Sequence, residues 1–282
     1  LAGASAQGGY TIEESLRFNS SQSSYLSKTF AAAGNRKTFT WSGWVKRGQL
    51  SINPYLFSSG GASTPEFIPS FSSANELNIG YWNGGSYTYR LLTTQVFRDP
   101  SAWYHIVVAW DTTQATASNR IKVYVNGVQV TAFSTASYPS LNYDSAYINT
   151  TSAQYIGSAG TGAYFDGYLT EVNFIDGQAL TPSSFGDYNE DTGVWQPAKY
   201  AGTYGTNGFY LPMQLDNTTE GFNTVTYIGN NSTHKIGGVG FSPDLVWIKS
   251  RATANHNLYD SVRGVGNMLL TNGTNAELTG GE

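Results

Sequence analysis

The sequence predicts an all-β protein, an antiparallel sandwich or barrel, on three observations. Apolar residues recur with period two over short runs, the spacing of a pleated strand and not of a helix. Gly or Asn-Gly interrupts those runs about every ten residues. Only 12% of the 282 residues are charged, about half the usual share, and Gly, Ser, Thr, Asn and Tyr take their place. With 40% hydrophobic residues the chain still has the material for a core of domain size.

The elements follow in order. After a small-residue leader over 1–13, SLRFNSSQSSYLSKTF offers strands at Leu16–Asn19 and Tyr25–Ser27 around a Ser-rich turn. TFTWSGWVKRG alternates, with Phe39, Trp41 and Val45 on one face and Thr40, Trp44 and Lys46 on the other. ELNIGYW and SYTYRLL flank Asn83-Gly84-Gly85 as a hairpin, which places Leu77, Ile79 and Tyr81 on the same face as Tyr87, Tyr89 and Leu91. WYHIVVAWD sets Tyr104, Ile106, Val108 and Trp110 against His105, Val107 and Ala109; both faces are apolar, so this strand belongs at the centre of a sheet.

IKVYVNGVQV is a hairpin closed by a type I′ turn at Asn126-Gly127. AQYIGS and GYLTEVNFID continue the strands, and ALTPSSF suits one helical turn with Thr181 as N-cap and Pro182 in first position. Residues 186–208 form a long Gly/Tyr-rich excursion before GFYLPMQL returns as a closing strand, so that 14–215 make one sandwich. Composition turns polar at DNTTE, and TVTYIGN and SPDLVWIKSR start a second β-rich domain over 216–282, expected to continue past Glu282.

Several functions lack their parts. A net charge of −4 without a Lys/Arg cluster gives nothing to neutralise a nucleic-acid backbone. No apolar run approaches the ~20 residues of a membrane helix, and Leu1–Tyr10 lacks the pattern of a signal peptide. Cysteine is absent, so packing and strand pairing must hold the fold. Gly237-Gly238-Val239-Gly240 lacks the Lys-Ser/Thr of a phosphate loop, and no zinc-protease or hydrolase-elbow motif occurs. Asn-x-Ser/Thr triplets at Asn19, Asn149, Asn217, Asn230, Asn231 and Asn272 are what chance yields in a chain this rich in those residues.

TFTWSGWVKRG, WYHIVVAWD, KVYVNGVQV, YIGS and FDGYLTEVNFIDGQALT, in that order, resemble the laminin-G-type branch of the concanavalin A-like lectin/glucanase sandwiches, over roughly 14–185. The resemblance implies a jelly-roll β-sandwich. FGDYNEDTGVWQPAKYAGTYGTNGFYLPM and SPDLVWIKSRATANHNLYDSVRG are similar to segments of bacteriophage virion proteins, especially long tail-fibre or appendage proteins. That implies a place on an extracellular particle after folding in the bacterial cytoplasm.

Retaining glucanases of this fold carry Glu-x-Asp-x-x-Glu. Glu171-Val172-Asn173-Phe174-Ile175-Asp176 departs from it at two of the three acids, and strict alternation sets Asp176 on the face opposite Glu171 unless a bulge intervenes. His105 reads as a hydrogen-bonded core residue. Arg251, His256, Asp260 and Arg263 gather both charge signs and a titratable ring. Asp111, Asp144, Asp166, Asp187 and Asp191 are turn carboxylates; none makes a calcium loop, so no cofactor is assigned and calcium is the one that stays open.

The surplus is aromatic, at 15% of the chain. Tyr81, Trp82, Tyr87 and Tyr89 around the Gly-rich hairpin are the candidate carbohydrate platform. Trp195, Tyr200, Tyr204 and Tyr210 on the excursion are candidate subunit contacts, because a loop of that length needs something to pack against. Three functions stand: a non-catalytic virion fibre or appendage protein binding host glycans, a capsid decoration protein making only subunit contacts, and a glycoside hydrolase. The first two expect a homo-oligomer with virion partners, without nucleic acid or membrane.

Overall fold

The alternation in TFTWSGWVKR and WYHIVVAWD becomes two adjacent strands, β3 (Thr38–Arg47) and β8 (Trp103–Asp111), in register from Thr38 opposite Asp111 to Lys46 opposite Trp103. The computed structural model describes residues 10–213, 221–230, 232, 235–237, 239, 241–252, 254–264 and 266–279. Most of the leader, the DNTTE boundary, Asn217, Asn231, His234, Gly238 and Gly240 lie outside them. The chain divides into two compact units, Leu1–Leu215 and Asp216–Glu282.

The first unit is two antiparallel sheets face to face. One runs β1 (Leu16–Phe18), β13 (Gly167–Asp176), β3, β8, β9 (Ile121–Val125), β10 (Val128–Val130), with β16 (Phe209–Leu211) also paired to β13. The other runs β11 (Phe133–Ser137), β7 (Tyr87–Val96), β6 (Glu76–Trp82), β5 (Glu66–Phe71), β4 (Phe57–Ser59), β12 (Ala153–Ile156), β2 (Leu26–Thr29).

Phe39, Trp41, Val45, Ile106, Val108 and Trp110 of the first sheet meet Phe57, Ile68, Phe71, Leu77, Ile79 and Leu91 of the second in one core. Each such side chain stabilises the sandwich by about 1.5–3 kcal/mol on burial. Glu66 stitches a loop onto that core. Its buried carboxylate accepts from the Tyr89 and Ser145 hydroxyls and from the backbone N–H groups of residues 146, 147 and 148.

Residues 180–204 cover the outer face of the first sheet. Val107, Ala109, Tyr124 and Ile175 of the sheet pack there with Phe185, Leu180, Tyr200 and Tyr204. This third layer is why β8 is apolar on both sides. The excursion is more ordered than its composition suggests: β14 (Gly186–Tyr188) and β15 (Trp195–Pro197) pair as a hairpin, preceded by a 3₁₀ turn at Pro182–Ser184. Thr181 does sit at the N-cap, but its hydroxyl bonds Ser183 Oγ instead of capping the backbone.

Two bulges change which face a residue serves. In β7, Tyr81 lies opposite Tyr89 while Trp82 lies opposite Tyr87, so the extra Thr88 turns Tyr87 away from the parity its sequence predicts. In β13, Glu171 and Val172 together oppose Gly43, with Glu171 in left-handed backbone at φ 52°.

The second unit holds an antiparallel meander of β17 (Leu245–Ile248), β18 (Asn257–Asp260), β19 (Asn267–Leu270) and β20 (Leu278–Thr279). Leu245, Val246, Trp247 and Ile248 are all exposed. Asp260 pairs with Arg263 at 2.6 Å, and His256 is tied through its backbone to Asn272 and Thr271.

Candidate functional site

Alternation aims His105 out of the core side of β8, where Val107 and Ala109 also point, and the excursion then buries it to 1% exposure. Its two ring nitrogens are both engaged. Trp195 Nε1 donates to His105 Nδ1 at 2.9 Å, and His105 Nε2 lies 2.9 Å from Ser42 Oγ. An indole N–H can only donate, so Nδ1 is the acceptor and the neutral ring carries its proton on Nε2, donating to Ser42. Burial pushes the imidazole pKa down to about 3, which keeps it neutral. Trp44 stacks on the same ring at 5.0 Å.

Two glycines make room for Trp195. The turn at Asn126-Gly127 has φ 48° and 82°, the type I′ geometry, and a Cβ on Gly127 would stand 2.5 Å from Trp195 Cε3. A Cβ on Gly186 would collide with the same indole from the hairpin side. Asn126 ties the turn to the strand, because its side chain accepts the His105 N–H at 2.8 Å and its carbonyl accepts the Tyr188 hydroxyl at 3.3 Å. Tyr188 meets Trp195 edge to face at 4.8 Å.

An open depression of ≈ 340 Å³ results, lined by Trp195, Tyr188, Tyr124, Asp187, Thr181 and Ser183. Its volume is at the low end of small-ligand sites, about 300–1,000 Å³. Asp187 is its carboxylate, with Oδ1 held by the Tyr188 N–H at 2.7 Å. Aromatic rings beside a carboxylate and two hydroxyls can stack the C–H face of a polyhydroxylated ring and accept its O–H groups.

The expected hairpin platform divides in two. Tyr89 is fully buried and donates to Glu66, so it can present no face to a ligand, which corrects its assignment; Tyr81 is half-buried, packed on the core and meeting Tyr147 at 5.8 Å. Trp82 and Tyr87 lie on the outer face, 5.2 Å apart, but the Arg90 guanidinium covers Tyr87 at 4.4 Å. The excursion aromatics find their partners within the chain, so the reason for assigning them to subunit contacts falls away. Trp195 bonds His105, Tyr200 packs on Phe185 at 5.3 Å, Tyr204 donates to Asn173, and Tyr210 donates to Glu171 at 2.6 Å.

The acids of the glucanase-like stretch are both engaged in hydrogen-bond networks. Glu171 Oε1 accepts from Tyr10 and Tyr210, and the carboxyl is raised above the usual range by burial. Both tyrosines are raised as well, the reverse of an activated nucleophile. Asp176 instead ties three segments together, accepting from the N–H of Asn35 and Asn207 and from Asn149 Nδ2. The bulge does not unite the pair: Glu171 joins the Tyr210–Asn173 side of the sheet, and Asp176 the opposite side. Asn149 is buried in that knot, so its glycan triplet is closed.

Among the described residues no three His, Asp or Glu side chains converge as metal ligands. Asp111 serves Thr113 and Gln114, and Asp166 serves Arg17 and Ser20. No helix among them is long and apolar enough to cross a membrane. Tyr124, Thr181, Ser183, Asp187 and Tyr188 were not singled out as a binding set by sequence; the turn residues Asn189 and Gly193 inside GDYNEDTGVWQP were the signal for the hairpin that assembles them.

Two antiparallel sheets packed face to face, one covered by a third layer, define a β-sandwich of the concanavalin A-like type. The model of the concanavalin A-like lectin/glucanases superfamily matches residues 19–184, and the chain belongs to that family, with a laminin-G-type fold. Residues 217–282 match a domain of unknown function. A comparison with curated proteins found no match.

Solved structures similar to the chain include a native heptameric SAP-like pentraxin from Limulus polyphemus. It is 18% identical at TM-score 0.39, covering 61% of this chain and 75% of that one. Domains LG4-5 of the mouse laminin alpha1 chain are 15% identical at TM-score 0.38, covering 61% and 44%. A Trypanosoma rangeli sialidase in complex with sialic acid is 18% identical at TM-score 0.36; the match covers 52% of this chain and spans only 22% of the sialidase.

Proposed function

We propose that the chain is a non-catalytic glycan-binding module of a bacteriophage virion protein, of tail-fibre or appendage type, and that the depression beside Trp195 is its sugar site. The observation that carries the binding function is the pinned aromatic floor. Trp195 is fixed through its N–H by His105 and flanked by Tyr188 and Tyr124, with Asp187, Thr181 and Ser183 alongside. An aromatic side chain already held in place loses little entropy when a ring stacks on it. The engagement of Glu171 and Asp176 in structural networks supports the absence of catalysis.

The virion setting rests on the resemblance of 185–213 and 242–264 to phage appendage proteins. In that setting homo-oligomers and repetition on the particle turn shallow, weak contacts into avidity. The exposed apolar strand β17 supports contacts with other virion subunits. Capsid decoration is the second arrangement this strand favours, and the location of the protein on the particle separates the two.

Binding is tested by titrating the purified chain with a panel of mono- and disaccharides, with Trp195→Ala beside it. The proposal expects Trp195-dependent binding; sugar binding indifferent to Trp195→Ala would move the site elsewhere, and hydrolysis of a glycan would overturn the non-catalytic assignment.

A further inference from the structure

The polar groups of the depression carry one formal charge, and it is negative. Asp187 is the charged residue among those lining it, and no Lys, Arg or His of the described residues lines it. Its Oδ1 is held by the Tyr188 N–H, and Oδ2 has no hydrogen bond among the described residues. Two of the aromatic donors nearby are spent, and the Tyr124 hydroxyl, which has no hydrogen bond among the described residues, is left to a ligand as donor or acceptor. Trp195 N–H is given to His105, and the Tyr188 hydroxyl to the Asn126 carbonyl. The Thr181 and Ser183 hydroxyls lie 2.9 Å apart and share one proton between them, leaving one hydroxyl proton free.

A ligand that fits this inventory supplies donors and asks for few. An acidic sugar would find no guanidinium or ammonium among the lining residues to offset its carboxylate, only hydroxyl donors, and would face the like charge of Asp187. The imidazole behind Trp195 cannot take that part, because both of its nitrogens are committed and burial keeps it uncharged. A neutral sugar meets the opposite situation: its hydroxyls donate to Asp187 Oδ2 and to the Thr181–Ser183 pair, while its C–H face lies on the aromatic floor.

We infer that the depression selects neutral pyranosides, hexoses or N-acetylhexosamines, and excludes uronic and sialic acids, with Asp187 as the residue that sets the choice. The assignment rests on the glycan-binding function proposed above and narrows it to a sugar class.

Ligand-observed NMR and calorimetry would compare methyl glucoside, methyl galactoside, methyl mannoside and N-acetylglucosamine with glucuronic, galacturonic and N-acetylneuraminic acids. At least one neutral sugar is expected to bind tenfold or more tightly than every acidic one. In Asp187→Asn the neutral sugar should weaken severalfold and its advantage over the acidic sugars should fall toward one. Asp187→Asn keeps size and shape, so circular dichroism and an unshifted urea midpoint separate a charge effect from unfolding.

Three results overturn the inference. Acidic sugars binding as tightly as neutral ones, yet lost in Trp195→Ala, would leave the glycan site standing and remove its selectivity. An unchanged ratio in Asp187→Asn would remove Asp187 from the choice. Binding of neither class would remove the site and the function together.

Discussion

Trp195 and His105, ninety positions apart in sequence, are joined by a 2.9 Å hydrogen bond that fastens the excursion to the central strand of the first sheet. The bond uses the N–H of the indole, while Tyr188 meets the same ring edge to face at 4.8 Å and Trp195 lines the depression. Removing the imidazole strands two buried polar groups, the Trp195 N–H and the Ser42 hydroxyl, and opens a hole beneath Trp44. His105→Ala is therefore expected to lower stability by about 2–4 kcal/mol. Urea denaturation reads that loss, and a red shift of tryptophan emission reads the release of Trp195; an unshifted spectrum would mean the indole is held by something else.

The same ring makes stability depend on pH. In the unfolded chain His105 titrates near 6.5, and in the fold near 3. Its contribution is whole above about pH 6.5 and is lost as pH falls toward 3, because the unfolded chain takes up a proton that the folded one refuses; the slope is at most about 1.4 kcal/mol per pH unit. Glu171 runs the other way. Its raised carboxyl holds a proton in the fold to higher pH than in the unfolded chain, so that contribution is present in acid and lost as pH rises past its folded value. Urea midpoints across this range should fall less steeply toward acid in His105→Gln than in the wild type. Equal slopes would show that the imidazole protonates in place.

Gly127 should tolerate no side chain. Two effects coincide there, a φ of 82° and a Cβ position 2.5 Å from Trp195. Gly61 supplies the control, with φ 78° and nothing within 4 Å of its Cβ. Gly61→Ala is expected to cost about 1 kcal/mol from backbone alone. Gly127→Ala should cost about 2 kcal/mol more, from the displaced indole, and should weaken sugar binding while Gly61→Ala leaves it intact.

Local signals in this chain proved legible where the determinant was local. Asn126-Gly127 forms its type I′ turn, and the two faces of β8 bury as their alternation predicts. The concanavalin A-like resemblance over roughly 14–185 agrees with the family match over 19–184. What escaped was decided by pairing across the fold. The bulge at Thr88 depends on how β6 meets β7, and it sends Tyr87 outward while Tyr89 stays in the core. The site was hidden for a similar reason: Trp195 looked like a loop aromatic in want of a second subunit, and its partner lay on a strand read as core.

Asp176 yields a prediction of a different sign from that of a catalytic acid. Three donors converge on it, the N–H groups of Asn35 and Asn207 at 2.8 and 3.1 Å and Asn149 Nδ2 at 2.7 Å. Asp176→Ala leaves them unpaired in a buried place and should destabilise the sandwich by about 3 kcal/mol or more. Glu171→Gln keeps an acceptor for Tyr10 and Tyr210 and should unfold at nearly the wild-type urea concentration. Neither substitution should alter sugar affinity in protein that remains folded; a loss in both would return the stretch 171–176 to the binding or catalytic machinery.

Trp82 and Tyr87 offer the sharpest separation of the two aromatic faces. They lie on the outer face of the second sheet, whereas Trp195 lies on the outer face of the first. Tyr87 is exposed, but one side of its ring is covered by Arg90 at 4.4 Å and it meets Trp82 edge to face at 5.2 Å, which leaves a flat ring less to stack on. Trp82→Ala and Tyr87→Ala should each change sugar affinity by less than about twofold, against a loss of about tenfold or more for Trp195→Ala, since stacking on one aromatic contributes about 0.5–1.5 kcal/mol and the removed indole also takes the shape of the depression with it. Calorimetric titration of the three variants against one neutral pyranoside makes the comparison. Loss of binding in Trp82→Ala with retention in Trp195→Ala would transfer the site to the Gly-rich hairpin.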